Sequence, residues 1–79
     1  MKPINVEVTS YDGARKWIRD VIGLTSDQIL DSWENGERIT LKSADGGLTA
    51  VDMSEVFAIR FQDDGVYKRR SREMKKRVG

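Results

Sequence analysis

The sequence predicts an α+β fold: strand, helix, helix, then an antiparallel three-strand meander, with a basic C-terminal tail. Three observations carry that reading. A two-residue alternation of apolar and polar side chains runs through residues 4–9 and returns between residues 38 and 62, which marks half-buried strands. Between these stretches lies a set of apolar residues at helical spacing. The chain then ends in GVYKRRSREMKKRVG, which is almost wholly basic.

Ile4, Val6 and Val8 alternate with Asn5, Glu7 and Thr9, and Pro3 just ahead suits a strand start. Ser10-Tyr11-Asp12-Gly13 is turn chemistry, in which Ser10 or Asp12 can cap a following helix. Ala14, Trp17, Ile18, Val21 and Ile22 fall at i, i+3, i+4, i+7 and i+8, a complete helical stripe that makes Trp17 a core anchor. Arg15, Lys16, Arg19 and Asp20 then face solvent, and Gly23 supplies the left-handed C′ residue. Thr25 and Gln28 have the spacing of a capping box. They open a short second helix on Ile29, Leu30 and Trp33, which Asn35-Gly36 ends, and Trp33 reads equally as a core or a partly exposed residue.

Ile39 and Leu41 alternate through the next strand, and Ser43-Ala44-Asp45-Gly46-Gly47 is a hairpin turn leading into a return strand, Leu48 to Asp52. Asp52 and Glu55 are spaced to cap a single helical turn, which can break a strand and re-aim it. Val56 to Gln62 forms the last strand, with Phe57, Ile59 and Phe61 on one face. Both helices would cover the apolar face of the meander. The pattern leaves the pairing of the first strand open.

Seventy-nine residues make a single domain, read as a body of residues 1–64 and a tail of residues 65–79. The net charge of +1 conceals a division between the two. The body carries seven basic and twelve acidic side chains, net −5, and the tail seven basic and one acidic, net +6. The tail reads as dispensable for folding, its one apolar chance being Val66-Tyr67 packed back on the sheet. There is no Cys, hence no disulfide, and with no His a structural zinc site has almost no ligands to draw on. Stability then rests on packing or self-association, which keeps a homo-oligomer open. The start MKPINVEVTS lacks the apolar run of a signal peptide, and Val56-Phe57-Ala58-Ile59 is too short to cross a bilayer. The expectation is a soluble, cytoplasmic protein with no membrane partner.

Catalysis needs placed acids, bases or nucleophiles, and the usual base and thiol are missing. No G-x-S-x-G, S-x-x-K or phosphate-loop pattern is present. Asp45, Asp52, Glu55, Asp63 and Asp64 could in principle pair or hold magnesium, but each also reads as an ordinary turn, cap or strand-end residue. Asp45-Gly46-Gly47 precedes a strand rather than a helix, which is hairpin geometry and not a phosphate cradle. The sequence therefore indicates no enzyme, no cofactor and no metal.

The tail is the strongest functional signal. Lys68, Arg69, Arg70, Arg72, Lys75, Lys76 and Arg77 are the candidate nucleic-acid contacts, with Lys68, Arg72, Lys75 and Lys76 on one face if the tail is helical. A solvated end and docking on the acidic body of a second copy are the competing readings. The expected function is a non-enzymatic binding or regulatory module that contacts nucleic acid through this arm. The alternative is a small inhibitor or adaptor that binds a host protein through its acidic body, where Asp20, Asp27, Asp31 and Glu34 recur along the helical segments. The size and lack of catalytic groups fit the accessory proteins of phages and mobile elements.

Overall fold

A computed structural model describes residues 2–63 and 65–70 of the chain. Among these residues there are six strands: β1 (Ile4–Ser10), β2 (Arg15–Ile22), β3 (Arg38–Ser43), β4 (Leu48–Asp52), β5 (Val56–Phe61) and β6 (Tyr67–Arg69). One α-helix, α1 (Ser26–Glu34), joins β2 to β3, and a 3₁₀ turn, Met53–Glu55, joins β4 to β5. The strands form one sheet in the order β4-β3-β2-β1-β5-β6, every pair antiparallel. The protein is thus mostly antiparallel β, and the expected strand–helix–helix arrangement with a separate three-strand meander is incorrect.

The first error lies in residues 14–22, of which Arg15–Ile22 form β2 and not a helix. Ser10-Tyr11-Asp12-Gly13 is the loop of a β-hairpin: the Ser10 amide donates to the Ala14 carbonyl at 2.8 Å, and Gly13 takes the required positive φ of 93°. Asp12, expected as a helix cap, instead accepts the Ala14 amide at 3.0 Å across the turn. Further along, Ile18 pairs with Val6 but Val21 pairs with Ile4, so Arg19 and Asp20 together oppose Asn5. This is a β-bulge, with Asp20 at a φ of 55° and its amide held by Asn5 Oδ1 at 2.9 Å. One extra residue changes the strand's parity, so Ile18 and Val21, three apart, both face inward and are buried. The three-residue step that reads as helical is the trace of this bulge.

The second error concerns β5. It pairs with β1, not β4, which makes β1 a central strand between β2 and β5. β4 and β5 are therefore four places apart in the sheet, which is ~19 Å if the sheet is flat. The link from Asp52 to Val56 reaches only ~14 Å fully extended, and less as a 3₁₀ turn. The sheet has to curl, and its inner side closes on one apolar cluster. Val6, Val8, Ile18, Val21, Leu41, Val51, Val56, Ile59 and Phe61 meet Met53 of the turn and Ile29 and Trp33 of α1 there.

Local signals are realised where the sequence placed them in α1 and the β3–β4 hairpin. Thr25 Oγ1 accepts the Gln28 amide at 3.1 Å and Gln28 Oε1 accepts the Thr25 amide at 2.8 Å, a complete capping box. Asp52 caps the 3₁₀ turn, accepting the Ser54 hydroxyl at 2.6 Å and its amide at 3.1 Å. These two bonds, with Arg38 nearby at 3.6 Å, hold the Asp52 carboxyl below its ordinary value of 3.8.

The first residues of the tail belong to the sheet. Tyr67, Lys68 and Arg69 pair with Arg60, Ile59 and Ala58 of β5. Arg70 follows with its amide on the Phe57 carbonyl at 2.9 Å. Its part-buried guanidinium donates to the carbonyls of Val56, Met53 and Trp33 and lies 4.6 Å from the Trp33 ring centroid. A planar fork with five donors can bridge several carbonyls at once, which an ammonium on a flexible stem cannot. This side chain clips β6, the 3₁₀ turn and the end of α1 together, so that residues 67–70 pack on the body.

Arg70→Ala should cost about 2–3 kcal/mol and lower the melting temperature by roughly 10–20 °C, because charged hydrogen bonds and a stacked contact go together. Arg70→Lys should recover little of it. An unchanged melt for Arg70→Ala would mean that the clip contributes nothing. Asp52 makes a separate, pH-dependent contribution. Because folding depresses its pKa, the charge stabilises the protein above pH 3.8 and that stabilisation is lost as pH falls through the folded-state value. Urea melts should therefore show Asp52→Asn less stable than the parent at neutral pH, with the gap closing below pH 3.8. A gap that persists at pH 2 would locate the effect elsewhere than in the carboxylate.

Candidate functional site

The outer side of the sheet carries a different set of residues from the inner side. In β2 the alternation places Arg15, Trp17 and Arg19 outward while Ile18 turns in. Following the register across the sheet, Trp17 lies opposite Glu7 in β1, Glu7 opposite Arg60 in β5, and Arg60 opposite Tyr67 in β6. The four side chains make one cross-strand row, ~14 Å from Trp17 to Tyr67 at ordinary strand spacing. The next row reads Arg15, Thr9, Ala58, Arg69.

Each aromatic in the first row carries an arginine. The Arg19 guanidinium is 5.4 Å from the Trp17 ring centroid, and that of Arg60 is 5.3 Å from the Tyr67 centroid. Glu7, its side chain 12 % exposed, reaches Arg60 at 4.0 Å and fixes that arginine in the middle of the row. The second row has small side chains at its centre, so the surface is hollow there. A depression of about 190 Å³ lies over Thr9 and Ala58, with Arg15, Arg60, Phe57 and Tyr67 among its walls. On the other side of Arg60 a wider, shallow depression of about 530 Å³ is lined by Trp17, Arg60, Gln62, Gly65 and Tyr67.

Charge is sorted along with polarity. Arg15, Arg19, Arg60 and Arg69 meet on this face, whereas Asp27, Asp31 and Glu34 lie on the exposed side of α1. Asp20, expected beside them on a helix, sits in the β2 bulge instead. The net −5 of residues 1–64 thus contains a locally basic, aromatic surface.

The residues singled out in the sequence divide into three groups. Lys68 and Arg69 are exposed on the edge strand β6, Arg69 at the border of the arginine face and Lys68 opposite Ile59 with the other parity. Arg70 is turned into the body and its donors are taken by backbone carbonyls. Arg72, Lys75, Lys76 and Arg77 lie outside the described residues, as does Asp64. Of the carboxylates, Asp45 accepts the Gly47 amide at 2.9 Å within the hairpin turn, Asp52 caps the 3₁₀ turn that holds Glu55, and Asp63 is exposed beyond β5. Among the described residues no group of carboxylates is placed to hold a metal ion, and no helix is long and apolar enough to cross a membrane.

Trp17 does not take its expected place in the core, and Trp33 lies in it. Trp33 is 5 % exposed, part of the core, and donates from Nε1 to the Val56 carbonyl at 2.9 Å. Trp17 stands half-buried on the outer face, apart from the core cluster. A signal for the arginine face was present: Arg15, Trp17 and Arg19 recur every second residue, the period of a strand, as do Tyr67 and Arg69. No protein-family model, curated protein or solved structure matches the chain.

Truncating a buried tryptophan costs about 3–5 kcal/mol, so Trp33→Ala should abolish cooperative unfolding. Trp17→Ala should cost only about 1 kcal/mol, the scale of one cross-strand pair and one exposed cation–π contact. Denaturant melts of the two variants give this order directly, and the reverse order would return Trp17 to the core.

Proposed function

We propose that this protein is a small, non-enzymatic module that binds nucleic acid through the outer face of its sheet, with the basic C-terminal arm extending the same surface. The reading rests above all on the gathering of Arg15, Arg19, Arg60 and Arg69 on one side of a body whose overall charge is negative. Random placement of charge on an acidic body would surround these arginines with carboxylates. Here Glu7 is their one acidic neighbour within the two rows, and it is committed to Arg60. Arginine suits the task, since its fork holds phosphate oxygens two at a time.

The described part of the tail borders this surface. β6 runs along the edge of the face, and the chain leaves it at Arg70 toward Arg72, Lys75, Lys76 and Arg77. Arg70 is held by the body, and Arg72, Lys75, Lys76 and Arg77 follow it in sequence. Phosphate contacts of this type release counterions and give binding that depends on salt and little on sequence.

Affinity for nucleic acid should fall log-linearly with salt, each phosphate contact adding about 0.7 to the slope on a single strand and about 0.9 on a duplex. Replacing Arg15, Arg60 and Arg69 by Gln should lower the slope by roughly two units while the melt stays close to the parent's. A chain ending at Arg70 should retain part of the slope. Absence of binding to any nucleic acid at low salt would overturn the reading and pass the function to the acidic side of α1 as a protein-binding surface.

A further inference from the structure

The arginine face holds more than cations, and the arrangement of its rows selects among nucleic acids. Trp17 and Tyr67 flank Glu7 and Arg60 in one row, so two aromatic rings stand on the same side of the sheet, ~14 Å apart. Neither ring is needed by the core: Tyr67 is 50 % exposed and Trp17 lies outside the apolar cluster. Between and beside them lie the two depressions that share Arg60 and Tyr67 as a common wall.

Resting on the nucleic-acid reading above, we infer that the ligand is single-stranded, with unpaired bases stacked at Trp17 and Tyr67 and the backbone held by the neighbouring arginines. Three features of the face fit a single strand and not a duplex. The rings can meet only bases whose faces are free, and in a duplex these are already stacked on each other. The hollow over Thr9 and Ala58 is bordered by cations, Arg15 and Arg60, and by an aromatic wall, Tyr67, which is the combination a single nucleotide presents in reverse. Glu7 lies at the centre of the aromatic row, where a phosphate would be repelled and the edge of a base, which carries hydrogen-bond donors, would not.

The arginines above the rings support the same ligand. A guanidinium plane can itself stack on a base, and Arg19 over Trp17 and Arg60 over Tyr67 already lie near their rings. Every base has a π-face, so this mode tolerates any sequence. Binding at the two rings depends on stacking and persists at salt concentrations that screen the arm.

The test compares a labelled oligo(dT) strand, an oligo(U) strand and a duplex DNA of equal length, using the full chain. The parent should bind the single strands about tenfold or more tightly than the duplex at matched salt. Trp17→Ala and Tyr67→Ala should each weaken single-strand binding about five- to hundredfold and leave duplex binding unchanged, with Trp17→Phe close to the parent. Titration with oligo(dT) should quench the emission of Trp17, while Trp33 stays shielded in the core. Tyr67 lies on the exposed edge, so Tyr67→Ala carries the test even if Trp17→Ala folds poorly. Equal affinity for strand and duplex, or unchanged single-strand binding by folded Tyr67→Ala together with no quenching of the parent, would overturn the inference while the arginine-face reading stood. No binding of the parent to any of the three probes would overturn both.

Discussion

The short connection between β4 and β5 governs the rest of the molecule. β5 takes its place beside β1, at the far side of β2 and β3 from β4, yet only Met53, Ser54 and Glu55 separate the two strands. A flat sheet cannot satisfy that connection, so the strands bend until β4 and the start of β5 come together. Once the sheet is bent it has an inside and an outside that are not equivalent. The inside shrinks to a space that apolar side chains from the strands, α1 and the turn can fill. The outside opens, and its rows of side chains spread apart enough for hollows to form between them.

Curling alone does not say which residues go to which side. Two irregularities in pairing do. The bulge at Arg19 and Asp20 turns Val21 inward after Ile18, and the register shift between Thr9 and Ser10 sends Val56 inward although Ile59 and Phe61 set the parity downstream. Each insertion of one residue exchanges the faces of everything beyond it. Without the first, Trp17 and Arg19 could not share the outer side with Arg15 while both Ile18 and Val21 remained buried. The arginine face and the core are thus set by the same backbone defect, and the carboxamide of Asn5, which holds the Asp20 amide, serves both.

What the sequence made legible follows the range of the interactions. The capping box of Thr25 and Gln28, the turn at Ser43 to Gly47 and the cap at Asp52 are completed within a few residues, so the local pattern contains their cause. β2 was misread because a bulged strand and a helix share the spacing of Ile18 and Val21, and only the partner strand distinguishes them. The place of β5 depends on how the chain closes, which no periodicity records. The candidate face was half visible: Arg15, Trp17 and Arg19 stand at alternate positions, but a helical reading sends Trp17 inward and separates it from its neighbours. Tyr67 and Arg69 were absorbed in the charge of the tail, where one basic residue resembles the next.

Arg70 makes that last point physical. By composition it belongs with Lys68, Arg69 and Arg72, and a count of charge assigns them one role. By geometry it is, among the described residues of the tail, the one whose donors are consumed by the carbonyls of Val56, Met53 and Trp33. A guanidinium satisfied by backbone oxygens inside the fold is a structural strut, and one that stands beside a ring in solvent is free to exchange that partner for a ligand. The difference arises from parity along three residues of edge strand, since Arg69 follows Tyr67 to the outer face and Arg70 turns to the inner one. The clip also fixes where the arm begins. By register Arg70 lies one residue beyond the row of Arg15, Thr9, Ala58 and Arg69, and its side chain is on the inner side of the sheet.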